Sequence, residues 1–143
     1  MIVIDTSVWL DLFLEDIKRR KLAEDLIKIA EGFIYEPQVF KIELAGVLSR
    51  KFNKKDALSF IKEIEKKIKI IKNPNILAFQ VALNTGCRAI DAYFIATAKL
   101  TNSILITNDK VMINNAKKFK IEAYYLIEDF ERVANKIKDL LKT

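Results

Sequence analysis

The sequence predicts an α/β fold in which a parallel sheet carries helices on both faces. Five short apolar runs recur along the chain, and each is separated from the next by stretches of helical periodicity, the rhythm of strand-helix-strand units. Composition agrees: 51% hydrophobic and 31% charged residues, with only three Gly and two Pro, suit a compact, helix-rich chain and not a disordered one.

The elements follow in order. IVI (residues 2–4) reads as the first strand, and VWLDLFL and the amphipathic stretch from Asp16 to Glu31 read as helices. GFIYEP holds the second strand, closed by Pro37, whose fixed φ suits the opening of the next helix. That helix runs to about Phe52, and another follows from about Lys55 to Lys67. KIIK is the third strand. Asn73 and Pro74 open a helix that stops near Gly86, and RAIDAYFIATAKL forms one that ends before Asn102. SILIT is the fourth strand, DKVMINNAKKF a helix, EAYYLI the fifth strand, and the chain from Glu128 a final amphipathic helix. With no linker and no repeat, residues 1–143 read as one domain.

Residue counts exclude whole classes of chemistry. The chain has no histidine and a single cysteine, Cys87, so an internal disulfide, a structural zinc site, a Ser-His-Asp triad and a two-histidine ribonuclease mechanism are all ruled out. The net charge of +6 fits a polyanionic partner or a solvated lysine-rich surface. The apolar start lacks the basic residues of a signal peptide and is interrupted by Asp5 and Asp11. No apolar run approaches the ~20 residues of a membrane span, so a cytoplasmic protein with no membrane partner is expected.

Four acids stand out by position. Asp5 lies at the carboxyl end of the first strand, and Asp109 follows the fourth, three residues past Ile106. In open parallel sheets, sites form outside the carboxyl ends of strands, near the point where strand order reverses. Either aspartate could instead cap the helix that follows it. Glu43 shares a helix face with Phe40, Leu44 and Val47, and Asp91 shares one with Phe94, Ile95 and Ala98. An acid on an apolar stripe costs several kcal/mol unless compensated, and a buried pair with Lys or Arg is the bland compensation. Two acids at strand ends and two on inward helix faces favour one explanation, convergence on a metal ion. Oxygen-only ligands select a hard cation, Mg²⁺ or Mn²⁺. Such an ion serves phosphodiester hydrolysis without histidine, and nucleic acid is then the natural polyanion.

Neighbouring residues carry weaker signals. Thr6 and Ser7 could hydrogen-bond Asp5 or the metal's water shell, or serve as caps at the strand-to-helix junction. Arg88, one turn before Asp91, could hold a substrate phosphate or pair with an acid of the site. Asp11 reads as a surface charge and Trp9 as a packing residue.

With these residues in place, the chain resembles the PIN-domain nucleases, most closely the VapC-type toxins of prokaryotic toxin-antitoxin pairs. The resemblance rests on IVIDTSVWLDLF, IELAGVL around Glu43, RAIDAYFIATA around Asp91, and LITNDKVM around Asp109, all four in order. It carries the family's acidic site onto Asp5, Glu43, Asp91 and Asp109, with Thr107 and Asn108 as the polar lead-in to the last acid. It implies a three-layer α/β/α sandwich on a parallel sheet of four or five strands. It also implies Mg²⁺- or Mn²⁺-dependent cleavage of RNA, a homodimer, and neutralisation by a small antitoxin. Rival readings are a housekeeping RNA-processing nuclease, a non-catalytic RNA-binding domain, and a phosphoacceptor domain using Asp5, for which DTSV lacks the second acid.

Overall fold

A computed structural model describes residues 1–142, and the predicted domain's last residue, Thr143, lies outside them. Five strands, β1 (Ile2–Ile4), β2 (Ile34–Pro37), β3 (Ile68–Ile71), β4 (Ile104–Thr107) and β5 (Ala123–Tyr125), form one all-parallel sheet in the order β3-β2-β1-β4-β5. β1 and β4 lie at the centre and are buried along their whole length, which is why both read as near-continuous apolar runs. Their register, Ile2 opposite Ile104 through Ile4 opposite Ile106, brings Asp5 alongside Thr107.

Parallel pairing requires helical crossovers, and right-handed connections place them on two sides. On the way out, β1 leads through α1 (Thr6–Leu10), a 3₁₀ turn (Asp11–Phe13) and α2 (Ile17–Ala30) to β2, and then through α3 (Val39–Lys51) and α4 (Lys54–Glu65) to β3. The return runs through α5 (Asn75–Thr85) and α6 (Ala89–Thr101) to β4, and through α7 (Lys110–Lys118) to β5. The last helix, α8 (Leu126–Leu141), packs on α2, while α3 packs on α4 and α5 on α6. The result is the expected three-layer α/β/α sandwich. Helix α6 lies between α5 and the sheet, so seven of its residues, Asp91 among them, are buried. Trp9, Phe40 and Phe94 fill the centre of the core with no exposed surface.

Local stops fall where turn chemistry puts them. Gly86 and Asn102 end α5 and α6 in the left-handed conformation, with φ of 72° and 51°. Three boundaries differ from expectation. The stretch VWLDLFL splits into α1 and the 3₁₀ turn, closed by extended Leu14, before Asp16 caps α2 through the backbone N–H groups of Lys18 and Arg19. Pro37 ends β2 instead of opening α3. It is tolerated there because β2 pairs with β1 only at Ile34 and has left it by Pro37. Finally, the fifth strand stops at Tyr125, and α8 already begins at Leu126. No helix among the described residues is long and apolar enough to cross a membrane.

Candidate active site

Strand order reverses between β1 and β4, because the chain runs from β1 outward to β3 and returns to the far side of β1. A crevice opens at the carboxyl ends of two strands whose following segments diverge. A cleft of about 190 Å³ occupies that place, with Asp5, Glu43, Asp91 and Asp109 all in its wall. Strand β1 delivers Asp5, the segment after β4 delivers Asp109, and the inner faces of α3 and α6 deliver Glu43 and Asp91. A larger groove of about 330 Å³ lies at the opposite end of the sheet, near Lys99, Lys120 and Lys136, but gathers no comparable set of acids. Chemistry, not size, selects the smaller cleft.

Hydroxyl groups hold Asp5 in place. Thr107 Oγ1 and Ser7 Oγ both donate to Asp5 Oδ2, at 2.8 and 2.9 Å. The backbone N–H of Asn108 donates to Ser7 Oγ at 3.0 Å, and that of Asp109 to Thr107 Oγ1 at 3.0 Å, so the loop after β4 is fastened to the same hydroxyls. Asp5 stands at the N-cap of α1 without a capping side-chain bond. For Asp109 the capping alternative is correct in part: Oδ1 accepts from Val111 N at 2.9 Å, while Oδ2 faces the cleft 3.8 Å from Arg88 Nη2. Ser7 is therefore an orienting group for Asp5 and not a cap. The Thr6 hydroxyl is buried without a well-formed hydrogen bond, although it lies near enough to Glu43 to favour that carboxylate's charged form.

Electrostatics show that the acids share one environment. Burial raises the pKa of Asp5, and Asp109 adds to the rise, against the opposing hydrogen bonds from Thr107 and Ser7. Burial also raises Glu43, helped by Asp5 and Asp91, and raises Asp91, helped by Asp5 and Asp109, with Arg88 opposing both shifts. The salt-bridge alternative fails for Glu43 and holds for Asp91 only as a long contact to an exposed arginine. Among the described residues no Lys or Arg pairs with Glu43, and Asp91 meets only the exposed Arg88, whose Nε lies 3.6 Å from Oδ2, too long for a hydrogen bond. That Asp91 oxygen is buried and has no hydrogen-bond partner.

The donor set fits a hard divalent cation: it is all oxygen, it carries excess negative charge, and it includes a buried carboxylate oxygen left unsatisfied. Among the described residues, however, no three of these acids are drawn close enough to make a finished coordination group. Hydroxyls tether Asp5, and Arg88 lies 3.6 Å from an oxygen of Asp91 and 3.8 Å from an oxygen of Asp109.

Two acids escaped sequence reasoning. Asp11 is not a surface charge: it is 3% exposed, accepts from Arg19 Nη2 at 2.9 Å, and takes a second bond from Asn108 Nδ2. Its 3₁₀ turn tucks it under the loop that carries Asp109, something a surface-helix reading of VWLDLFL cannot show. Glu36 is wholly buried in β2, where Oε1 accepts from Ile4 N at 2.9 Å and Oε2 from Trp9 Nε1 at 2.8 Å. The signal for Glu36 was an acid inside a strand of a sheet covered on both faces. Trp9 packs as expected, with its ring centroid 5.6 Å from that of Phe40.

Fold and site together define a parallel α/β protein with an acidic, histidine-free cleft at the topological switch point. The PIN domain family model matches residues 2–118, and the chain belongs to that family. Among solved structures it is similar to that of PAE2754 from Pyrobaculum aerophilum (TM-score 0.68, 16% identity, covering 94% of this chain and 89% of that one). It is also similar to VapBC2 from Rickettsia felis bound to a DNA fragment from their promoter (TM-score 0.68, 14% identity, 87% and 98% covered). A third similar structure is a toxin-antitoxin complex from Klebsiella pneumoniae (TM-score 0.62, 17% identity, 77% and 88% covered). At these identities the likeness is one of fold. A comparison with curated protein sequences finds no match.

Proposed function

We propose that this protein is a divalent-metal-dependent endoribonuclease that hydrolyses RNA phosphodiester bonds, acting as the toxin of a toxin-antitoxin pair in the cytoplasm. One observation carries the reading: four carboxylates from four separate elements meet in one cleft at the switch point, and one of them keeps a buried, unsatisfied oxygen. A packed core alone gives no reason to gather four mutually repelling acids around one cleft. Membership of the PIN family, whose proteins are typically nucleases, supports the reaction class. The antitoxin partner rests on the likeness to a structure described as a toxin-antitoxin complex.

In this reading Asp5, Asp91 and Asp109, with Glu43, hold Mg²⁺ or Mn²⁺. A bound ion of this kind supplies an activated water and neutralises charge that develops on the phosphate. The protein's own groups do the rest. Ser7 and Thr107 fix the Asp5 carboxylate, Asn108 fixes the loop that presents Asp109, and Arg88 at the mouth offers a planar donor to a phosphate of the RNA. Glu43, only partly buried, stands beside the cleft as a carboxylate with raised pKa, suited to accept or return a proton.

The test is direct. Asp5→Asn, Glu43→Gln, Asp91→Asn and Asp109→Asn should each lower Mn²⁺-dependent cleavage of a labelled RNA by about 100-fold or more, and EDTA should abolish it. Asp91→Asn should melt no lower than the native protein in EDTA while losing most of the stabilisation that Mn²⁺ confers. Cleavage that persists in EDTA would overturn the proposal.

A further inference from the structure

The positive charge at this site comes from the chain itself. Arg88 is the N-cap residue of α6, and its guanidinium spans the gap between the two acids, with Nε 3.6 Å from Asp91 Oδ2 and Nη2 3.8 Å from Asp109 Oδ2. Asp91 belongs to α6 and Asp109 to the loop after β4, so this side chain links two otherwise separate walls of the cleft. Both contacts are too long for hydrogen bonds, and the side chain is 79% exposed. Arg88 is thus held by charge alone, and a competitor of higher charge can remove it. Asp91 Oδ2, which has no hydrogen-bond partner, faces this guanidinium.

We infer that Arg88 is an internal placeholder cation: it neutralises Asp91 and Asp109 while the site is free of metal, leaves when a divalent ion enters, and then engages the RNA phosphate. The inference rests on the metal-site reading above. It accounts for a single guanidinium that lies 3.6 Å from an oxygen of Asp91 and 3.8 Å from an oxygen of Asp109. It also gives one side chain two sequential partners. A guanidinium makes bidentate contacts equally well to carboxylate and phosphate, so its release from the acids supplies a phosphate-binding group at the mouth of the cleft. Metal and RNA binding are then positively linked, because the ion frees the group that the RNA needs.

The experiment follows the Arg88 side chain itself. In isotope-labelled, metal-stripped protein the Arg88 Nε–H resonance is assigned by its absence from Arg88→Gln and followed through a Mg²⁺ titration, with melting temperature measured in parallel. Melting temperature should rise, and the Arg88 signal should move over the same Mg²⁺ range to the position and linewidth of a free guanidinium. Arg88→Gln should bind Mn²⁺ more tightly, by about fivefold or more, because the ion no longer has to displace a unit charge that lies ~4 Å from a carboxylate, a pair attraction of about 1 kcal/mol even in bulk water. The same variant should lose most of the Mg²⁺-induced gain in affinity for a non-cleavable 2′-O-methyl RNA. Lys110→Gln serves as control, since Lys110 pairs with Glu128 outside the cleft, and it should leave Mn²⁺ affinity unchanged. A rise in melting temperature with a stationary Arg88 signal overturns the placeholder and leaves the metal site standing. Equal tightening by Arg88→Gln and Lys110→Gln overturns it too, because a general field would then suffice. No response of melting temperature to either ion overturns both the placeholder and the metal reading.

Discussion

Glu36 has both carboxylate oxygens committed to donors, Ile4 N and Trp9 Nε1, and no exposed surface. Burial pushes its pKa well up, and nearby Asp5 pushes the same way, so this group takes up a proton far more readily than a surface glutamate. Its role follows from its two bonds. Where β2 departs from β1, the side chain completes the hydrogen bonding of the residue that immediately precedes Asp5. Glutamine has the same shape but only one acceptor oxygen, so Glu36→Gln turns an N–H donor toward another donor. Urea unfolding should show a loss of about 2 kcal/mol, the cost of an unsatisfied buried polar group. An unchanged denaturation midpoint would mean that β1 finds another partner for Ile4.

The loop from β4 to α7 is fixed more by polar side chains than by apolar packing. Asn108 works on three sides: its amide donates to Asp11, its Oδ1 accepts from Ile127 N at 3.2 Å at the start of α8, and its backbone N–H donates to Ser7. Arg19 of α2 holds Asp11 from beneath at 2.9 Å. Four elements are therefore tied to the short segment that positions Asp109. Asn108→Ala deletes one bond to a charged acceptor and one to a backbone donor, and should cost about 2–3 kcal/mol in urea unfolding. RNA cleavage should fall with it, since the Asp109 loop loses its fastening to Asp11. A variant with full stability would assign the network no structural weight.

At the scale of the molecule, the same acids make stability depend on pH. Asp5, Glu43 and Asp91, together with the buried Glu36 and Asp11, have raised pKa values in the folded protein, so over the range between unfolded and folded values the folded state holds more protons. Unfolding free energy then falls as pH rises, and the contribution is present in full only below the unfolded values. Metal-free protein should accordingly melt lower as pH is raised from about 4 through the shifted range, and saturating Mn²⁺ should flatten or reverse that slope. A metal-free melting temperature that climbs over this interval would contradict the assignment. A second property belongs to the surface. Ile76, Phe79 and Leu83 fall at positions i, i+3 and i+7 of α5 and are 82%, 69% and 75% exposed, an apolar stripe unusual for a lone chain. The homodimer implied by the resemblance to VapC-type toxins would place its interface on this stripe. Phe79→Glu should then convert a dimer to a monomer in sedimentation experiments, whereas an unchanged mass would move the interface elsewhere.

Sequence alone determined what depends on neighbours along the chain. Apolar runs and helical periodicity located the strands and α-helices of the described residues but not the 3₁₀ turn at Asp11–Phe13, because a strand buried on both faces and a helix with one apolar stripe each leave a local pattern. Asp5 and Asp109 were legible as acids after strands, and Glu43 and Asp91 as acids on inward faces, so the acids that line the cleft of the proposed site could be named without knowing where it lay. Tertiary structure decided what depends on non-local pairing. Only the order β3-β2-β1-β4-β5 sets β1 beside β4, and so brings Asp5 within reach of Thr107 and of the loop that carries Asp109. Asp11 looked like solvent-facing polarity because its burial comes from Asn108, 97 positions away. Arg88 carried two readings, pairing with an acid or holding a phosphate, until α6 and β4 placed Asp91 and Asp109 on either side of its guanidinium. Periodicity reports which way a side chain faces, but the partner waiting there is set by how the sheet is assembled.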